Sequence, residues 1–234
     1  MITKLGVLLL FMGLSACAKI LQPQVAEEQD VIQLGLEKHG LMAWYAVRFS
    51  ILWEKETEPQ WYMGTLIAGE VISPLLEQSR QQVVYWRVHR RAVHDKTGHV
   101  FSFIFYSSQA DAALIYQHFK NNKVLTKLQQ QQLLSGVSYD ALYNNSQTNI
   151  ADTSDPLWPE KIRSSWPFFI MGASQMWLEQ IRAFKKQTLN ESDIKQRYII
   201  IQNNLTDLWQ QQGQHALMHH LNALYAYQPV LVRF

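Results

Sequence analysis

The clearest hydrophobic pattern in the chain is a pair of β-rich stretches on either side of a turn. Residues 83–89 and 100–106 are rich in β-branched and aromatic residues, and Asp95 to Gly98 have turn composition. Alternation places one set of large apolar side chains on the same face: Val84, Trp86, Val88, Phe101, Phe103 and Phe105. We therefore predict an antiparallel hairpin over about residues 83–107. Its aromatic face needs cover from other elements, because a lone hairpin is unstable.

Helical patterns occupy much of the rest of the chain. Ser108 and Asp111 are spaced as a capping box at the start of one helix, and Pro74 disturbs another. The helices predicted in the first part of the chain cover residues 27–40, 41–55, 61–78, 108–120 and 124–134. Residues 135–155 are rich in Ser, Asn and Asp, which predicts a long loop with a helical turn at 139–143.

The last third of the chain is predicted to be helical. An apolar helix starts at Ser165-Trp166-Pro167, and Gly172-Ala173-Ser174 give it a notch of small residues. Asn190 is expected to cap the next helix, in which apolar residues recur every three or four positions until Gly213. A final helix is predicted over 215–227 and a strand over 229–234. The fold class predicted is α+β, a mostly helical single domain packed on the hairpin, with a C-terminal strand.

The amino terminus has the pattern of an export signal. Lys4 precedes an apolar run over residues 5–14, which is too short for a membrane span of about 20 residues. The run ends in Leu14-Ser15-Ala16-Cys17, which resembles the lipobox of bacterial lipoproteins at all four positions. The resemblance implies cleavage before Cys17 and acylation of Cys17, with palmitate among the acyl chains. Ala18, where an Asp favours inner-membrane retention in enteric bacteria, implies the periplasmic face of the outer membrane.

Composition narrows the class of protein. The expected division is a signal peptide over 1–16, a lipidated tether over 17–26 and one globular domain over 27–234. Cys17 is the only cysteine, so the mature domain has no free thiol for disulfides, nucleophilic catalysis or metal binding. The net charge is +2, or +1 without Lys4, which gives no electrostatic reason to expect nucleic acid as a partner.

Three groups of side chains are candidates for binding chemistry. His215 and His219 are four residues apart, so they share a helix face and form a candidate metal pair, although the Glu of a metalloprotease motif is missing. His94 and His99 are expected to lie opposite each other at the base of the hairpin, near His89. The densest basic cluster is a candidate anion site and consists of Arg87, Arg90 and Arg91. For each group, an ordinary solvated surface is the competing interpretation.

The sequence contains no nucleophile elbow, phosphate-binding loop or other catalytic motif that we can identify, and no catalytic residue or cofactor is assigned. The expected function is therefore that of a lipid-anchored, non-catalytic accessory lipoprotein that binds an envelope protein partner. Two alternatives remain open. One is a carrier or binder of an apolar, lipid-like ligand, held between the helix over 165–184 and the hairpin. The other is a metal-binding protein or metalloenzyme that uses the His215 and His219 pair.

Overall fold

A four-stranded antiparallel sheet lies at the centre of the fold, in a computed structural model that describes residues 41–54 and 56–228. In chain order the strands are β1 (Met42–Ile51), β2 (Tyr85–Val93), β3 (Gly98–Ser108) and β4 (Leu134–Tyr139). Their order across the sheet is β2–β3–β1–β4. The predicted hairpin is confirmed as β2 and β3, joined by residues 94–97, and so is the α+β class.

Helices before and after the hairpin complete the described part of the chain. In chain order they are α1 (Trp61–Ile67), a π-helical segment (Ala68–Ile72), α2 (Ser73–Gln78), α3 (Gln109–Lys120), α4 (Lys123–Gln130), a 3-10 turn (Ile150–Thr153), α5 (Glu160–Gln187), α6 (Ile194–Leu208), a second π-helical segment (Trp209–Gly213) and α7 (Gln214–Leu224). The helix predicted over 61–78 is thus confirmed, with a π-helical interruption. The predicted cap of α3 is also confirmed, because the Ser108 side chain accepts a hydrogen bond from the Asp111 amide.

The helix predicted over 41–55 is wrong, because these residues contain β1. Five consecutive residues of β1, 43–47, are buried, so the strand lacks the alternation that would reveal it. A strand buried on both faces has the same continuous apolar pattern as a buried helix. β1 pairs with β3 along its whole length and with β4 on its other side.

The polar middle of the chain also differs from prediction. The helix expected over 124–134 begins at Lys123 but ends at Gln130, and residues 134–139 form β4 at the sheet edge. The helical turn expected at 139–143 is replaced by the end of β4, while a 3-10 turn forms later, at Ile150–Thr153. β4 is short and contains Gly136 and three Ser or Tyr side chains, so its composition resembles that of a loop.

The predicted C-terminal helices are present with different ends. α5 begins at Glu160, so Pro167 lies inside the helix and removes one main-chain donor there. Asp193, instead of Asn190, caps α6, because its side chain accepts hydrogen bonds from the backbone amides of Lys195 and Gln196. Gly213 does not end this helix, because the π-helical segment carries it on into α7. The signal peptide over 1–16, the tether over 17–26, the helix over 27–40 and the strand over 229–234 lie outside the described residues.

The helices cover one face of the sheet, the core face. β3 contributes Phe101, Phe103 and Phe105 to it, and β1 contributes Tyr45, Val47 and Phe49 directly opposite. Side chains from α1, α3, α5 and α6 belong to the same apolar cluster. Burial of this cluster accounts for the aromatic alternation of the hairpin.

Residues 140–153 cover part of the opposite, outer face of the sheet. The Trp44 indole donates to the carbonyl oxygens of Asn149 (3.1 Å) and Ile150 (3.0 Å), and the Tyr106 hydroxyl donates to that of Thr148 (2.7 Å). Trp44 is 2% exposed as a result. The long segment predicted as a loop is therefore fixed to the sheet by side-chain hydrogen bonds.

Candidate functional site

The three arginines that form the candidate anion site do not converge. Arg87 lies on the outer face and donates from Nε to Thr153 Oγ1 (2.7 Å), and burial lowers its pKa. Arg91 forms an ion pair with Asp95 near the turn, and its hydrogen bond holds the pKa of Asp95 far below the usual range. Arg90 points to the core face, because successive strand residues alternate. Each guanidinium therefore has a separate structural environment.

Arg90 is the unusual member of the three. Its guanidinium lies between two indoles, 5.5 Å from the ring centre of Trp61 and 5.0 Å from that of Trp177. Its Nη2 group donates to Thr65 Oγ1 (3.1 Å), Gln202 Oε1 (2.9 Å) and the Trp61 carbonyl. Burial lowers the pKa of Arg90 to about 10. These neutral acceptors and aromatic faces, which join α1, α5, α6 and β2, make Arg90 a part of the core.

The hairpin histidines do not face one another as predicted. His99 lies opposite Ala92, while His94 belongs to the turn and stacks on Trp53 with ring centres 3.8 Å apart. His99 is 4% exposed, and its Nδ1 is buried without a hydrogen-bond partner. Burial, with a smaller effect from a nearby guanidinium, lowers the pKa of His99. His89 lies on the outer face and is exposed, so the three do not form one cluster.

The candidate metal pair is present on α7 as the spacing predicts. The rings of His215 and His219 stack with centres 5.3 Å apart, and both side chains are exposed. His219 also contacts Tyr227 (5.5 Å). Across residues 41–54 and 56–228, no group of three or more His, Cys, Asp or Glu side chains is arranged to hold a metal ion.

A concave apolar surface between α5 and α7 forms a groove with a volume of about 750 Å³. We call it the α5–α7 groove. Its lining residues are Phe168, Phe169, Gly172, Ala173, Met176, Trp209, Leu217, Met218, His220, Leu221, Ala223 and Leu224. His220 is the only titratable side chain among them. The groove therefore offers apolar burial and van der Waals contact to an occupant, and little polar chemistry.

The apolar side chains of the groove remain accessible to solvent. Phe168 is 55% exposed, Met218 is 54% exposed and Leu224 is 82% exposed. No residue of α7 is buried. The sequence between Asp207 and Gln228 contains no Lys, Arg, Asp or Glu, and neither does the sequence between Arg163 and Glu179. Both walls of the groove are thus uncharged stretches of helix.

The groove does not lie where the sequence places an apolar slot, between this helix and the hairpin. That side of α5 is closed, because α5 packs along β2 and Ser174 Oγ accepts a hydrogen bond from the Val88 amide (3.2 Å). Ser174 thereby covers an edge of the sheet, while Gly172 and Ala173 line the groove. The small residues 172–174 therefore allow close contact on one side of α5, at β2, and form part of the groove wall on the other side.

Sequence reasoning did not identify the apolar side of the last helix as the wall of a groove. The signal that could have identified it is the absence of charge over residues 208–228. A helix at a protein surface normally has a charged face, whereas this one has Gln, His and Asn instead.

No protein-family model matches the chain, and neither any curated protein nor any solved structure is significantly similar to it. Within the part of the chain that the structure describes, none of the helices combines the length and the apolar character that crossing a membrane requires.

Proposed function

We propose that the protein is a lipid-anchored, non-catalytic accessory protein of the bacterial envelope that binds a partner protein in the α5–α7 groove. The anchor is Cys17, and the expected location is the periplasmic face of the outer membrane. The observation that carries the proposal is the open, uncharged groove of about 750 Å³ between two helices. Exposed contiguous apolar surfaces of this kind commonly mark interaction sites.

The exposure of α7 supports the proposal that a partner binds to it. α7 is 11 residues long and has no buried residue. It is the last part of the helix that continues from α6, and the stability of a helix in a protein comes mainly from packing of an apolar face. Leu217, Leu221 and Leu224 provide such a face, which an occupant of the groove would cover. Binding therefore stabilises α7 as well as the complex.

The shape of the groove favours a helix as the occupant. On α5, residues 168, 172 and 176 line it at intervals of four, and on α7 residues 217, 221 and 224 do so at intervals of four and three. A third helix can place apolar residues between these two rows, as in helix-in-groove recognition. Gly172 and Ala173 allow close approach of its backbone. Because the walls lack charge, we expect the interacting stripe of the partner to be apolar and uncharged.

A photocrosslinking amino acid placed at Met218 of the native, lipidated protein in cells tests this proposal. We expect crosslinking to one reproducible envelope protein. The matched control is Leu114 on α3, which is 58% exposed against 54% for Met218 but lies outside the groove. If both positions yield the same products, or if position 218 yields none, the groove is not a protein-binding site.

The second candidate is a binder of an apolar ligand, such as an acyl chain. The volume of the groove lies within the range of about 300–1,000 Å³ that is usual for small-molecule sites, and its lining is almost entirely apolar. Native mass spectrometry of the mature chain with Cys17→Ser distinguishes this function. A bound lipid that is lost when Leu221→Asp is added supports the binding of an apolar ligand. The mass of the ligand-free protein, found for the Cys17→Ser chain that retains Leu221, rules this function out.

A further inference from the structure

A second apolar surface lies on α5 next to the groove and shares Phe169 with it. Trp158, just before the helix, is followed by Ile162, Trp166 and Phe169 at intervals of four, four and three, so these side chains form one stripe. The rings of Trp158 and Trp166 are 4.9 Å apart, and those of Trp166 and Phe169 are 5.5 Å apart. We call these four residues the α5 stripe.

Part of the α5 stripe is exposed to solvent. Ile162 is 51% exposed, Phe169 is 51% exposed, and the neighbouring Leu157 is 89% exposed, while Trp158 and Trp166 are half-buried. Trp and Leu side chains that project from one place on a fold favour contact with the boundary between lipid headgroups and acyl chains. Leu157 lies in the turn before α5 and is not among the residues that line the α5–α7 groove.

The charges around the α5 stripe are compatible with a lipid surface. Lys161 and Arg163 flank Ile162, Glu160 lies just before them, and the sequence contains no Asp or Glu between Glu160 and Glu179. Cations beside exposed apolar side chains such as Ile162 and Phe169 are typical of segments that lie in a membrane interface. Long basic side chains can also place their charge at the headgroups while their stems pack on apolar surface.

The first described strand and α5 contact the same 3-10 turn. The described chain begins at Leu41, next to β1, and Cys17 lies 24 residues earlier in the sequence. Near the start of β1, the Trp44 indole donates to the carbonyl of Ile150 (3.0 Å). The 3-10 turn that begins at Ile150 packs against both β1 and α5. The 24 residues from Cys17 to Leu41 can span at most about 80 Å, so a lipid on Cys17 keeps the domain within reach of its bilayer.

From these observations we propose that the α5 stripe, together with Leu157, inserts into the interfacial region of the bilayer to which Cys17 is anchored. This inference goes beyond the protein-binding function and rests only on its lipid anchor. The anchor raises the local concentration of the stripe at the membrane, so a contact that is measurable but partial in the free domain becomes saturated. The bilayer contact fixes the orientation of the domain, which an acyl anchor and a chain of 24 residues do not fix.

Site-specific labelling of the mature chain tests the contact without the anchor. Cys17 is the only cysteine, so Cys17→Ser combined with Ile162→Cys or Leu114→Cys gives a protein with one thiol for an environment-sensitive dye. The probe is a vesicle of phosphatidylcholine. We expect a blue shift of the dye at position 162, with protection from an aqueous quencher, and neither effect at position 114. Equal shifts at both positions, or none at 162, would overturn the proposal.

An unlabelled substitution provides a second measurement. In the Cys17→Ser background, Ile162→Asp is expected to reduce the fraction of protein that floats with the vesicles by about tenfold, since a buried aliphatic side chain is replaced by a charge. Leu114→Asp is expected to leave that fraction unchanged. Equal losses in the two variants, or no loss in Ile162→Asp, would contradict the inference.

The failure of this inference can be told apart from failure of the proposed function. Incorporation of a palmitate analogue at Cys17 in cells, absent in Cys17→Ser, tests the anchor alone. A crosslinker at position 162 in cells is expected to capture lipid. Capture of a protein at 162 would overturn the bilayer contact even if the anchor and the partner at Met218 are both found.

Discussion

Replacement of Arg90 offers the sharpest test of how the helices are joined to the sheet. We compare Arg90→Lys, which keeps the charge, with Arg90→Met, which keeps the length and apolar stem. Both remove the planar group that lies between Trp61 and Trp177. If the charge mattered most, the Lys variant would be the milder one. If the planar stack and its forked donors matter most, the Lys variant is at least as destabilised as the Met variant.

The size of the effect follows from opposing contributions. Hydrogen bonds to a charged group contribute about 1.5–3 kcal/mol each, and each desolvated cation–π contact contributes about 0.5–2 kcal/mol. These contributions are opposed by the cost of burying a guanidinium, which is several kcal/mol. Among the described residues, no Asp or Glu forms an ion pair with Arg90 that would offset this cost. We therefore expect Arg90→Met to lower the free energy of unfolding by about 2–4 kcal/mol. In Arg90→Lys the burial cost remains while the stacking is lost.

Urea unfolding of the mature Cys17→Ser chain, followed by far-ultraviolet circular dichroism, gives these free energies. Thermal unfolding adds a check, because about 1 kcal/mol corresponds to about 2–4 °C in Tm for a chain of this size. Arg91→Met is the matched control, since Arg91 is the neighbouring residue on the opposite face and its exposed ion pair with Asp95 should not affect stability measurably. A Lys variant as stable as the unsubstituted protein, or an equal loss in Arg91→Met, would refute the reasoning.

Three further predictions concern single sites. Burial keeps the pKa of His99 in the folded protein below its value near 6.5 in the unfolded chain. As the pH falls, His99 is therefore protonated in the unfolded chain before it is protonated in the folded protein. The free energy of unfolding should thus decrease as the pH drops below about 6.5. His99→Gln should flatten this decline in urea titrations, and an unchanged slope would exclude His99 as its source. Gly69→Ala should cost about 1–3 kcal/mol, because its Cβ would lie 2.4 Å from the Tyr198 hydroxyl; equal cost in a Tyr198→Phe background would argue against this clash. Ser174→Ala should accelerate hydrogen exchange at the Val88 amide, because that amide donates a hydrogen bond to Ser174 Oγ (3.2 Å). Unchanged protection of this amide would contradict the contact between α5 and the edge of the sheet.

The hairpin and the long helices could be predicted because their patterns depend on one buried face. Phe101, Phe103 and Phe105 face the core at alternate positions, and Tyr198, Ile201 and Leu205 do so at helical intervals. Such periodicity is a local signal, and the tertiary fold reinforces it. The packed sides of β3 and α6 could therefore be predicted before their partners were known, whereas Val84, predicted on the core face of the hairpin, is 48% exposed.

β1 could not be predicted in the same way because both of its faces are buried. Trp44 on the outer face and Tyr45 on the core face are each 2% exposed. The cover over Trp44 comes from residues about 100 positions later in the chain, and no local pattern reports it. The content of aromatic and β-branched residues was the only available indication of a strand.

The groove was only partly predictable for a related reason. The apolar residues of the helix that became α5 were identified, but the sequence could not show which side faces β2 and which faces α7. That choice depends on Ser174, a small side chain whose hydroxyl satisfies an amide at the edge of the sheet. The arginine cluster was misleading because closeness in sequence does not give a shared face on a strand, as Arg90 and Arg91 show.

The central claim is that the α5–α7 groove holds a helix of a partner protein. The most direct measurement places the crosslinking amino acid in turn at Ala173, Met218 and Leu221 of the lipidated protein in cells, and maps the attached residues on the partner by mass spectrometry. We expect the products to fall on one short segment of a single protein, at intervals of three or four residues. Products that fall only on lipid, or on partner residues without this spacing, would contradict the account.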